Sequence, residues 1–381
     1  MDASVPPALR PPPIVEILDW PAMQAHAGAW DELLSRAVAP SPFASHAVIA
    51  AHAEAGIGRA PRVLAARRGD RLVALLPLSA GGVRFGARRR AGAWTSPYAV
   101  ASTPLIDAGE PETALAALLD GLALAAGTGP FAWPLLPLDD PAGAALMAGL
   151  ARRGWPHAVE GAFSRPVLDR RADYEAYEAT LGRGRRRSLR RLGRRLAETG
   201  ALAHRCATEG EALASAVEAF LALEAAGWKG RGGTALAADP RTAAFARRLF
   251  RTQGGPVRAR ADLLTLDGRP IAASLALVCG GTAHLLKTAY DETLRRFAPG
   301  LVLEDAIVRA LHRDGFARRL DSASLPGGVL DELYPDRERV GDLLLAPGGM
   351  DEASFRRLLA VERLRRAGRQ GLKRLSARLA S

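Results

Sequence analysis

The sequence predicts two tandem units of mixed α/β type, and three observations carry that prediction. One β-hairpin signature occurs twice, helical sequence precedes each copy, and a strand, a helix and a last strand follow each copy. In the first copy, "RVLAARRGDRLVALLPLSAGG" (62–82), two β-runs flank a Gly-Asp turn and end on a double glycine. The second, "RADLLTLDGRPIAASLALVCGG" (260–281), repeats this layout around Asp267-Gly268. Asp-Gly between apolar runs is a strong hairpin signal.

The flanking elements follow in order. "AWDELLSRAV" and "ASHAVIAAHAEAG" precede the first hairpin; "EALASAVEAFLALEAAG" and "RTAAFARRLFRTQ" precede the second. Behind them lie the helices "PETALAALLDGLALAAG" and "LVLEDAIVRALHRDG", then the strands "FAWPLLPL" and "FARRLDSASL". A tandem repeat is the simplest account. It sets a disordered proline-rich tail at 1–13, a first unit at 14–165, a second at 166–350 and basic C-terminal helices at 351–381. The boundary is expected near "GAFSRPVLDR" (161–170).

The totals narrow the function class. The chain has 381 residues, 48% hydrophobic and 24% charged, which is globular rather than disordered. Its start lacks the basic region and apolar run of a signal peptide, and no apolar stretch suffices to span a bilayer. Cys206 and Cys279 lie far apart without metal-type spacing, so no metal and a cytoplasmic setting are expected. The net charge of +12 reflects arginine abundance of a compositional kind, and nucleic acid is not the expected partner. Only three of the 52 basic residues are lysines: Lys229, Lys287 and Lys373. An exposed Lys drifts to Arg at little cost, whereas a site needing a compact ammonium does not tolerate the change. Lys229 and Lys287 are therefore functional suspects.

The stretch "RRFAPGLVLEDAIVRAL" (295–311) carries the main functional signal. Leu303, Ile307, Ala310 and Leu311 form a helical stripe behind a Pro-Gly turn that follows two arginines. A helix start offers backbone N–H groups to an anion. Arg295 and Arg296 supply charge, Gly300 can take the positive φ a nest requires, and Ala298 leaves room for a ligand. Pro299 has no N–H, so the expected donors are Ala298, Gly300, Leu301 and Val302. Glu304 and Asp305 oppose the idea, since carboxylates there repel a phosphate. The first unit has no comparable loop before its Pro111 helix.

R-x-x-A-x-G from Arg295 to Gly300 resembles the acyl-CoA pyrophosphate loop of the GNAT superfamily, Q/R-x-x-G-x-G/A, with Ala298 for the first glycine. "FLALEAAGWKGRGGTAL", "HLLKTAYDETLRRFAPG" and "LDSASLPGGVLDELYPDRERVGDLLL" resemble, in order, segments of the CelD-like and FemAB-like acyltransferases. The resemblance implies two tandem GNAT-like units, each a mixed, mostly antiparallel sheet flanked by helices. It implies transfer of an acyl group from acetyl-CoA or another acyl-CoA to an amine or hydroxyl. The loop would hold the pyrophosphate, a splayed strand pair the pantetheine, and backbone N–H groups would polarise the thioester carbonyl. CelD-like relatives point to an exopolysaccharide, cellulose-related or cell-envelope acceptor.

Proton carriers are the remaining need. Asp321 ends a strand at its C-terminal edge, where substrates gather in α/β sheets; its plainer reading is a capping Asp. Tyr290 is a leaving-group acid or substrate wall, against a packing aromatic. Strand alternation puts Lys287 with Ala289 and Tyr290 with Thr288 on opposite faces. Trp228 and Lys229 offer an aromatic wall beside a cation for the acceptor; the plainer reading is a Trp plugging a helix end. Tyr334 reads as structural. No histidine pair or Ser-His-Asp arrangement stands out. The arginine-rich helix at 182–200 and the basic C-terminal helices read first as solvated or core-closing, and secondly as contacts with an anionic polymer, RNA or the inner membrane face. The competing functions are a FemAB-type aminoacyl transferase fed by charged tRNA and a non-catalytic scaffold.

Overall fold

A computed structural model describes residues 11–85, 88–251 and 255–364. The tail expected at 1–13 thus lies largely outside the described residues, as does 365–381 of the basic C-terminal region. The architecture is mixed α/β, with mostly antiparallel sheets flanked by helices.

Along the chain come β1 (Ile14–Asp19), α1 (Trp20–Gln24), α2 (Ala27–Ser35), α3 (His46–Glu54), β2 (Arg62–Arg68) and β3 (Arg71–Leu78). Next are β4 (Val83–Phe85), β5 (Arg88–Arg90), β6 (Leu105–Ile106), α4 (Pro111–Ala126), β7 (Phe131–Pro137), α5 (Pro141–Arg152) and β8 (His157–Asp169). The second half holds α6 (Tyr174–Thr180), α7 (Arg183–Ala197), β9 (Leu202–Ala207), α8 (Gly210–Ala226), α9 (Trp228–Arg231) and α10 (Pro240–Leu249). It closes with β10 (Arg258–Leu266), β11 (Arg269–Cys279), β12 (Thr282–Tyr290), α11 (Pro299–Asp314), β13 (Arg319–Asp321) and β14 (Asp336–Leu345).

Contacts divide the chain into two units, and neither is contiguous. Of the described residues, one comprises 11–44, those of 59–162 and 340–364; the other comprises 45–58 and those of 163–339. Helix α3 precedes the first hairpin in sequence yet belongs with the second unit, where the His52 ring lies 4.4 Å from that of Phe245, tilted at 54°. Residues 340–345 return to the first unit and pair antiparallel with β7. At the expected boundary there is no linker: β8 runs unbroken through 161–169.

In the first unit β1, β2, β3 and β6 form an antiparallel sheet in that order. Helix α4 covers it because Ala114, Leu115, Leu118 and Leu122 recur at helical spacing and are all buried. Gly121 permits the close approach; a Cβ there would lie 2.6 Å from Leu64 Cδ1.

The second unit carries the order β8, β13, β12, β11, β10, β9. The β10–β11 hairpin turns on Asp267 and Gly268, both at positive φ (49° and 81°), the two-residue geometry that matches strand twist. Helices α8 and α11 both pack against β10, β11 and β12. The predicted α11 stripe is core: Leu303, Ile307, Ala310 and Leu311 are each fully buried. Among the described residues, no helix is long and apolar enough to cross a membrane.

Candidate active site

The site grows from one strand. β12 pairs antiparallel with β11 along its length, but parallel with β13 only at Thr282–Arg319, Ala283–Leu320 and His284–Asp321. At that last pair β13 ends, while β12 runs on to Tyr290 without it. The register against β11 slips at this point, with Leu275 opposite Lys287 and Ala276 opposite Leu285, leaving Leu286 unopposed. Such a bulge bends a strand and raises its twist, which turns the rest of β12 away from β13.

Each branch of the fork ends on a strained alanine. Ala298, after the β12 branch, has φ 49° and ψ 58°; Ala323, after β13, has φ 52°. A non-glycine residue in the left-handed region costs about 1–2 kcal/mol, and such strain gathers at functional sites. Here the cradle departs from expectation. The positive φ falls on Ala298, and Gly300 is helical. Ala298 N–H donates to Arg295 O at 3.0 Å, while Leu301 and Val302 N–H both donate to Ala298 O at 2.9 and 3.2 Å. Of the four expected donors, the Gly300 N–H alone has no carbonyl partner among the described residues. The reason is geometric: the left-handed turn aims the Ala298 carbonyl along the helix, where it caps the next free amides.

The arginines and acids of the cradle are disposed favourably for an anion. Arg295 and Arg296 are exposed, the latter 4.7 Å from the Phe297 ring centroid. Glu304 turns inward, where the Tyr334 hydroxyl donates to its carboxylate. Burial pushes its pKa up to about 7, against the opposing Tyr334 bond. Asp305 accepts from Tyr174 Oη at 2.5 Å and from Arg309 Nε at 2.9 Å. Both acids are thus committed elsewhere. The structural reading of Tyr334 agrees with its full burial.

Asp321 sits at the fork itself, buried, accepting from His284 Nδ1 at 3.1 Å, Arg165 Nη1 at 3.3 Å and the Ala323 N–H at 2.7 Å. Burial alone would raise its pKa; the His284 bond and charge, then Arg165 and Ala323, outweigh that and hold it at about 2. A carboxylate so stabilised is a weak base, so the proton-carrier expectation for Asp321 gives way to a positioning one.

Strand alternation separates the other two suspects. Tyr290 faces α11: a Cβ built on Gly300 would lie 3.4 Å from Tyr290 Cδ1 and 4.0 Å from Thr288 Cγ2. Lys287 faces α8, where its Nζ donates to Glu224 Oε1 at 3.1 Å. Lys229 Nζ donates to the same oxygen at 3.3 Å, and the Leu236 N–H to Oε2 at 2.7 Å. The two suspect lysines therefore meet on one buried carboxylate that sequence reasoning missed. A signal for it existed: Glu224 continues the buried α8 stripe of Leu213, Val217, Phe220 and Leu221, where a charge demands a partner. Trp228 is 60% exposed, with the Lys229 Nζ 5.9 Å from its ring centroid. Its N–H donates to Glu292 at 2.6 Å, tying α9 to the end of β12. Gly230 makes the tight return possible, since a Cβ there would lie 1.8 Å from Ala225 O. A half-open cavity of about 580 Å³ adjoins, lined among others by Ala222, Leu223, Arg231, Arg269 and Tyr290.

Residues 183–327, which hold the fork, the cradle and the lysine pair, match the family model described as acetyltransferase (GNAT) domain. No curated protein matches the chain. Among solved structures, the C-terminal domain of a putative lysylphosphatidylglycerol synthetase from Agrobacterium fabrum is similar at 14% identity, with TM-score 0.55 over 89% of this chain and 96% of that one. FemX is similar at 11% identity, with TM-score 0.55 over 84% and 95%. A conserved protein of unknown function from Bacteroides thetaiotaomicron follows at 13% identity, TM-score 0.51, over 87% and 99%. At such identities the likeness establishes fold. Residues 183–327 are thus similar in sequence to a GNAT acetyltransferase domain, and most of the chain is similar in fold to FemX and to the C-terminal domain of a lysylphosphatidylglycerol synthetase.

Proposed function

We propose that the protein is an acyl-CoA-dependent N- or O-acyltransferase whose donor site lies in the second unit. The observation that supports this best is the parallel β12–β13 pairing that ends at His284–Asp321 while β12 continues, inside the stretch that matches the GNAT model. The donor's diphosphate would rest on the Gly300 N–H, the positive end of α11 and the Arg295 and Arg296 guanidinium groups. Residues 285–290, whose edge beyond the fork has no β13 partner, would hold the pantetheine arm. An N–H of that edge would polarise the thioester carbonyl. The acceptor's amine or hydroxyl then adds to the carbonyl carbon, the C–S bond breaks, and Tyr290 protonates the departing thiolate. His284, oriented by Asp321, stands at the fork as a candidate to take the acceptor's proton. The CelD-like resemblance favours an exopolysaccharide, cellulose-related or cell-envelope precursor as acceptor, acylated in the cytoplasm.

Calorimetry with acetyl-CoA tests the reading. Wild type should bind in the micromolar range and Arg295→Ala/Gly300→Glu should not; absence of binding to wild type would overturn it. The second reading, aminoacyl transfer from charged tRNA, draws on the fold likeness to FemX and the lysylphosphatidylglycerol synthetase domain and on the exposed arginines of α7, Arg187 and Arg191 among them. Tight, salt-dependent tRNA binding without acetyl-CoA binding would favour it. Binding of neither ligand would leave a scaffold.

A further inference from the structure

We propose that the outer face of α7, together with the exposed aliphatic tip of the β13–β14 loop, docks the protein on an anionic lipid bilayer. The inference goes beyond the acyltransferase reading and does not depend on it. Between Arg183 and Ala197, α7 carries eight arginines and no acid. It packs against α11, and its Leu189 and Leu196 join the buried cluster of Leu303, Ile307 and Leu311. Three of the arginines have carboxylate partners: Arg185 with Glu332, Arg190 with Glu178 and Arg194 with Glu198. Arg183, Arg187, Arg191 and Arg195 are exposed, and none has a carboxylate partner among the described residues. They stand four apart, so they form one row that winds by about 40° per step around the helix. Like charges at this spacing destabilise a helix. The row is therefore unfavourable in water, and an anionic surface laid along it removes the repulsion.

The loop tied to α7 selects a bilayer over other polyanions. Residues 325–329, Leu-Pro-Gly-Gly-Val, are exposed in succession and carry no charge. Leu325 is 67% exposed and Val329 60%. The tip is closed on itself: the Gly327 N–H donates to the Asp331 carboxylate, and the Asp331 N–H to Gly328 O at 3.2 Å. Its base is pinned to the core, where Leu333 and Tyr334 are buried. The Arg185–Glu332 ion pair joins it to the first turn of α7. Two large aliphatic side chains held in water on a closed turn gain nothing from the phosphates of a nucleic acid or the carboxylates of an acidic polysaccharide. At a bilayer they enter the boundary between headgroups and acyl chains, while arginines meet lipid phosphates. Reversible membrane attachment takes two such signals, one apolar and one electrostatic. The tRNA reading draws on Arg187 and Arg191 as well, and the aliphatic tip favours lipid over RNA.

The test is co-sedimentation of the full chain with vesicles of equal parts phosphatidylglycerol and phosphatidylcholine, set against phosphatidylcholine alone. The protein should pellet with the first and not with the second, and added NaCl should release it. Arg187→Gln/Arg191→Gln should weaken partitioning by about tenfold or more, since each cation near an anionic surface is worth roughly a factor of five. Leu325→Ser/Val329→Ser should weaken it by about tenfold and leave its salt dependence in place. Because the chain carries a net charge of +12, a control separates this face from charge in general. Arg84→Gln/Arg88→Gln, at exposed positions of β4 and β5, should partition like wild type. All six positions are exposed, and unchanged thermal midpoints check that the variants fold. No partitioning to the phosphatidylglycerol vesicles, partitioning unchanged in either α7 or loop variant, or an equal loss in the control would each overturn the proposal. Binding of poly(U) that exceeds vesicle binding and ignores the Leu325→Ser/Val329→Ser change would overturn it too, and would assign the face to RNA.

Discussion

At Asp321 a carboxylate stays charged although solvent is excluded, because His284 and Arg165 face it. Replacing it by Asn would remove the carboxylate that faces buried Arg165, a loss of about 3 kcal/mol in unfolding free energy by urea titration. The acid limb of stability carries the same signature. A carboxyl held near 2 contributes stability at pH values above its unfolded pKa, and that contribution fades as pH falls toward 2. The Asp321→Asn variant should show a shallower acid loss. Glu304 behaves in the opposite sense: burial raises it to about 7, so its penalty appears as pH climbs from near 4.5 through 7. Glu304→Gln should flatten the decline in denaturation midpoint between pH 5 and 8. These residues differ in how legible they were. Lysine scarcity marked Lys229 and Lys287 from composition, and Asp321 stood at a strand end. Glu224 and His284 escaped because Lys287 and Asp321, 63 and 37 residues away, meet them only through helix docking and sheet pairing.

Elements were more legible than contacts. Asp-Gly between apolar runs fixed the β10–β11 turn because few other residues accept two successive positive φ values. The α11 stripe followed from spacing alone. The bulge at Leu286 did not, since a one-residue slip leaves the apolar pattern of β12 nearly unchanged. Nor did the conformation of the cradle: glycine is the usual bearer of a left-handed turn, and here an alanine bears it. Ala298→Gly should therefore raise the unfolding free energy, by about 0.5 kcal/mol once glycine's greater unfolded-state freedom is deducted. Chemical denaturation measures it, and a fall would show that Ala298 is not strained in solution.

For the whole molecule, the repeat in sequence conveyed the number of units but not their membership. Helix α3 looks like part of the first unit because it precedes the first hairpin, yet it groups with the second, and its Val48, Ile49 and His52 are buried. The tilted ring contact of His52 with Phe245 and the Arg248–Glu54 ion pair tie it there. A fragment of 163–339 should accordingly be less stable than the same fragment with peptide 45–58 added. Burial of one large side chain alone predicts a gain of about 2 kcal/mol. Thermal unfolding with and without the peptide measures it, and no shift would argue against the assignment of α3. The same helix sets a delay during synthesis. It leaves the ribosome roughly two hundred residues before the segment that receives it, which at about 5–20 residues per second is roughly 10–40 s. For that interval His52 and Glu54 wait for Phe245 and Arg248, the partners they meet in the folded chain.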